Sequence, residues 1–154
     1  MERPAIFIDS EGAQWHIAMK YGDLLRVRCH VQGADNTPLD LCYIAETGDF
    51  KQVTDHIEII AKCVYWLLYN SIQEFSGKSG IDAQEWFYNR IDSNTLTQIV
   101  TAFYEAIINF TPFPVVRTAM LTAGEMITRA EIVTQIELLA GQLERCTNTP
   151  ELSA

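Results

Sequence analysis

Two spacings organise the apolar residues of this chain. Near the start the spacing is two: Trp15, Ile17 and Met19 alternate with His16 and Ala18, and Ala5 to Ile8 is rich in strand formers. Asp9-Ser10-Glu11-Gly12 between them is turn chemistry, so a β-hairpin over about residues 4–20 is predicted. A two-stranded ribbon is marginal alone, so it must lie on helices or extend a sheet in another subunit. Beyond the hairpin the spacing becomes helical. Asp23 is read as the cap of a helix carrying Leu24, Leu25, Val27 and Val31 and ending at Gly33. Thr37-Pro38 reads as the start of the next, with Leu39, Leu41, Cys42 and Ile44 inside it and Gly48 stopping it.

The longest helical pattern runs from about Phe50 to Phe75. Val53, Ile57, Ile60, Val64, Leu67, Leu68 and Ile72 lie on one side, with Ile59, Cys63, Trp66 and Tyr69 on the other. Asp82, three residues before Glu85, is read as the cap of a short helix through Trp86 and Phe87. Asp92 or Ser93 caps another, in which Leu96, Ile99, Val100, Phe103, Ile107 and Phe110 recur until Thr111-Pro112-Phe113-Pro114 ends it. The helices over 50–75 and 93–110 are apolar on more than one face and are expected to pack together at the centre. Val115 to Met126 is predicted as a further short helix. Thr128, three before Glu131, opens the last, whose stripe Ile132, Val133, Ile136, Leu139, Ala140 and Leu143 opposes Glu131, Gln135, Glu137, Gln142 and Arg145. That stripe either closes the core or meets a partner.

The fold class expected is therefore mainly α (α+β), an N-terminal β-hairpin followed by a compact multi-helix bundle. A length of 154 residues with 48% hydrophobic content points to one domain over 1–146, with 147–154 as a flexible tail. Twenty acids against eleven bases give a formal charge of -9, and the bases are scattered singly. Such a surface repels phosphate backbones and argues against nucleic-acid binding, while acidity itself serves solubility more often than partner choice. No apolar run approaches membrane-spanning length, and the first residues hold too few apolar side chains for a signal-peptide core. Four cysteines, at 29, 42, 63 and 146, form no C-x-x-C pair, which suits a reduced, cytoplasmic protein.

Candidate chemistry is sparse. His16, His30 and His56 are far apart and not paired with cysteines at finger spacing, so no metal site is expected; Cys29 beside His30 is the nearest approach. Asp55-His56 has the composition of an acid-base couple, but neighbours on a helix diverge. Glu46 with Asp49, and Asp55 with Glu58, read as solvated loop or helix faces. Lys20, Arg26 and Arg28 make one mildly basic neighbourhood, flanked by Asp23 and Asp35 and so locally neutralised. Ser76-Gly77-Lys78-Ser79-Gly80 resembles a phosphate loop only in composition, since it follows a helix and lacks the required spacing. Neither a catalytic set nor a cofactor site is expected.

The order of features resembles a known family. A start of the form F-x-D-x-x-G-x-x-W, here Phe7 to Trp15, precedes a D-x-x-R-V-R-like helix at Asp23 to Arg28 and a P-L-D-L segment at Pro38 to Leu41. A long apolar helix follows, then G-I-D-x-x-x-W, D-x-x-T-L, A-F-x-E-A-I-I-N-F and P-x-P between Gly80 and Pro114. This is similar to the tail assembly chaperones of tailed bacteriophages and prophages, over roughly residues 5–125. The resemblance implies a mostly helical, non-catalytic protein that binds the tape measure protein in the host cytoplasm before tail tube polymerisation. It supplies no catalytic residues. The expected partner face is the stripe Ile132, Ile136, Leu139 and Leu143, with the hairpin edge as second choice and a homo-oligomer allowed. The alternatives are a structural or connector protein retained in the particle and a small acidic host-directed regulator.

Overall fold

The computed structural model describes residues 4–122. Contacts divide the chain into two compact units, Met1–Arg117 and Thr118–Ala154, and the architecture below is that of the first. It is mainly helical, an N-terminal antiparallel hairpin followed by a helix bundle. Strands β1 (Ile6–Ile8) and β2 (Gln14–His16) pair with Phe7 opposite Trp15. Alternation works as expected: Ala5, Phe7, Trp15 and Ile17 are buried, while Ile6, Ile8 and His16 face outward.

Helix α1 (Tyr21–His30) begins one turn earlier than the sequence suggests. Lys20 is the cap position, and Asp23 is the third helical residue, its carboxylate accepting the Lys20 amide at 3.2 Å. Arg26 lies 3.5 Å from Asp23, the local neutralisation expected of that neighbourhood. The chain does not return to helix at Thr37. Val31 to Leu39 fold into a narrow loop, with Gln32 bridged to Pro38, the Gly33 and Leu39 amides bonded back across it, and Asn36 at φ 62°. The Asp35 carboxylate accepts both the hydroxyl and the amide of Thr37, so the threonine serves a turn and not a helix cap. A side chain at Gly33 would place its Cβ 2.8 Å from that of Gln52, which explains a glycine there. Helix α2 (Leu41–Thr47) starts instead at Asp40, whose side chain accepts the Tyr43 amide, and Gly48 at φ 73° ends it as expected.

The 50–75 pattern is not one helix. Turns over 51–55 precede α3 (Ile57–Leu67), with Asp55 in the left-handed region at φ 64°, and α3 gives way at Leu68 to α4 (Tyr69–Ser76). No proline or glycine marks the break. Arg26 Nη1 donates to the Trp66 carbonyl at 3.1 Å beside it, and a side chain bonded into a helical ladder is an established cause of a kink. Gly77 at φ 69° caps α4 and so terminates it, while Gly80 is the first residue of the next helix. Helix α5 (Gly80–Tyr88) has Ser79, not Asp82, at its cap position; Asp82 lies in its first turn, favourable to the helix dipole.

Asp92 caps α6 (Ser93–Phe110), accepting the Thr95 amide at 2.8 Å. Helices α3 and α6 pack together at the centre, as their wide apolar girth requires, and β1 lies across α6. Phe7, Tyr65, Phe87, Phe103, Ile99 and Ile107 are fully buried there. Each contributes roughly 1.5–3 kcal/mol of apolar burial. Thr111 leaves the helix before Pro112, and Arg117 donates to the Thr111 carbonyl at 2.8 Å, satisfying part of the C-terminal end. Helix resumes over 114–122.

Candidate functional site

The densest polar arrangement among the described residues joins the hairpin, through Asp9, to Arg90 in the turn that follows α5. The Asp9 side chain is 1% exposed, and it accepts four hydrogen bonds. The amides of Glu11 and Ala13 reach Oδ1 at 2.9 Å each, and the Trp15 indole and Arg90 Nε reach Oδ2 at 3.0 and 2.7 Å. Burial pushes the pKa of this carboxyl up, but Arg90, the Trp15 indole and the two amides together outweigh it and hold Asp9 below its ordinary value. The backbone completes the junction, with the Ser10 amide donating to the Arg90 carbonyl at 2.9 Å. Gly12 makes the return turn at φ 86°, where other residues are strained.

Around this junction aromatic rings assemble. Trp15 meets Phe75, Trp86 and Phe87 at centroid distances of 5.5, 6.1 and 6.0 Å, and Phe7 meets Phe87 at 6.4 Å. The Arg90 guanidinium carbon lies 4.4 Å from the Trp86 ring centre. Outside it opens a cleft of about 280 Å³ lined by Glu11, Lys78, Asp82, Glu85, Trp86, Asn89 and Arg90. The residues of F-x-D-x-x-G-x-x-W and the tryptophan of G-I-D-x-x-x-W thus meet in one place. The sequence marks Asp9 only as turn chemistry. The overlooked signal was parity, because Ala5, Phe7 and Asp9 share the inward face of the strand and an inward acid demands partners.

A second groove, of about 470 Å³, lies between α1, the 31–39 loop and α3 and is lined by residues including Arg28, Cys29, His30, Glu58 and Lys62. Cys29 is exposed, and the His30 ring turns away to stack on Trp66 at 3.8 Å and 8°. The adjacent pair therefore does not converge. Asp55 and His56 diverge too, His56 lying 3.8 Å from Glu58 instead. Cys63 is buried, and burial pushes its thiol far up, as expected of a cysteine that packs as a small hydrophobe. No cluster of three or more potential metal ligands occurs among the described residues, and none of their helices is long and apolar enough to cross a membrane.

Of the residues expected to meet a partner, Ile132, Ile136, Leu139 and Leu143 lie outside the described residues. The hairpin edge is described, and α6 covers part of it. Gln98 accepts the outward amide of Ile8 at 3.0 Å, and the Thr95 hydroxyl donates to its carbonyl at 3.3 Å. Comparison of the chain with protein-family models, with curated proteins and with solved structures finds no match in any of the three.

Proposed function

We propose that the protein is a non-catalytic assembly chaperone of a tailed bacteriophage or prophage, binding the tape measure protein and keeping it soluble until the tail tube polymerises. The observation that supports the non-catalytic part of this reading is the state of Asp9, and the remainder rests on the sequence resemblance. Asp9 is the most deeply buried acid among the described residues, and four donors occupy its oxygens, so it holds the hairpin in place and is not free to accept a proton from a substrate. The positions that carry the family resemblance build the core of the hairpin and bundle, and Phe75, Ile81 and Phe113 stand exposed beside it, which suits masking another chain's apolar faces. A surplus of nine negative charges keeps a coated complex soluble.

The stripe Ile132, Ile136, Leu139 and Leu143 remains the proposed contact. Co-expression with a tape measure protein encoded in the same genome tests it. The wild type co-purifies, and the Ile136→Asp, Leu139→Asp double variant keeps its helical circular dichroism but loses the complex. Mass spectrometry of purified particles then finds tail tube subunits without this chain. Its stoichiometric presence there would favour a retained connector, and recovery of a host protein alone would favour a regulator.

A further inference from the structure

We infer that the cleft outside the Asp9 junction, with the aromatic ridge at its mouth, is a docking surface for a polypeptide offering a lysine or arginine flanked by an apolar residue. Helix α5 sets Asp82, Glu85 and Trp86 on one face, three and four positions apart, its C-cap Asn89 continues that face, and Glu11 and Lys78 complete the walls. Arg90 spends its charge on Asp9. What remains is three carboxylates against Lys78, a local excess of negative charge, and none of Glu11, Asp82 and Glu85 is ion-paired among the described residues.

Beside the cleft, apolar side chains stand uncovered. Phe75 is 62% exposed with its ring 5.6 Å from that of Trp86, and Ile81, one helical turn before Glu85, is 72% exposed. Trp and Arg beside an uncovered apolar ridge, with a charged rim, match the composition of energetically dominant interface centres. The cleft's volume, about 280 Å³, lies just under the range of small-molecule pockets and suits one long side chain. Its ammonium or guanidinium group would sit among the carboxylates, its aliphatic stem along Trp86, and its apolar neighbour against Phe75 or Ile81. The proposed surface shares no residue with the 132–143 stripe and does not require the partner to be a tape measure protein.

The probe is a random dodecapeptide library displayed on yeast, selected on the full-length protein and counter-selected on its Phe75→Ser, Glu85→Gln variant. Both substituted residues are exposed, and a thermal melt checks the variant's fold. Since the variant remains strongly acidic, counter-selection removes peptides held by overall charge alone. Enriched peptides should carry Lys or Arg next to Leu, Ile, Phe or Trp, and should bind the variant about tenfold more weakly or worse. Enrichment of acidic or uncharged peptides, or no enrichment over the variant, would overturn the inference.

Discussion

Asp9 and Tyr65 are both polar and both buried, and they differ in what surrounds the polar atom. Asp9 has two donors on each oxygen. The Tyr65 hydroxyl has no hydrogen-bond partner among the described residues; its ring is fully buried against Trp66, Tyr69, Phe87 and Tyr88 at 5.0 to 6.1 Å. Burial pushes the phenols of Tyr65 and Tyr88 up, the latter to about 12. The hairpin junction is therefore fixed by directional bonds, which allow one placement, whereas the centre near α3 is fixed by shape. Removing a polar atom should be costly in the first region and nearly free in the second.

The largest test is Asp9→Ala. It strands the Arg90 guanidinium and the Trp15 indole in a buried site and should cost about 3–5 kcal/mol by urea denaturation. A loss below about 1 kcal/mol would mean that the carboxylate is dispensable and the contrast false. Trp15→Phe keeps a ring but deletes one donor, so a loss of about 1–3 kcal/mol is expected.

Acid sharpens the comparison further. Because the folded pKa of Asp9 is depressed, its contribution is complete above the unfolded value near 3.8 and is lost as pH falls through the lower folded value. The stability difference between wild type and Asp9→Asn should accordingly shrink below pH about 4, with no such convergence between wild type and Tyr65→Phe. The smallest effect belongs to Tyr65→Phe itself. Melting should move by no more than about 0.5 kcal/mol equivalent, in the direction of greater stability if at all.

The same contrast explains which parts of the structure could be read from the sequence. Local signals held: the alternation around Trp15, the Asp92 cap, the stop at Gly48 and the proline after Thr111 each depend on residues within a few positions. Distant partners did not show. Arg90 reaches Asp9 across 81 residues and Arg26 reaches the Trp66 carbonyl across 40, so neither the junction nor the break at Leu68 left a mark in any short window. Thr37-Pro38 misled for a different reason. A threonine before proline suits a helix start, but Asp35 two positions earlier captured it for a turn, and Gln52 reinforced that choice from another loop. The aromatic side chains of the candidate surface were visible as residues, but the cleft they border draws Glu11 from the hairpin and Lys78 to Arg90 from around α5, a meeting no short window shows.

The bonds that Gln98 and Thr95 make to Ile8 set a limit on self-association. With that margin of β1 partly occupied at Ile8, the margin of β2 is the better place among the described residues for a neighbouring molecule to add a strand. Two copies meeting there would each turn an obstructed margin to the outside, and the growth would halt at a pair, which guards the chain against polymerising into ribbons.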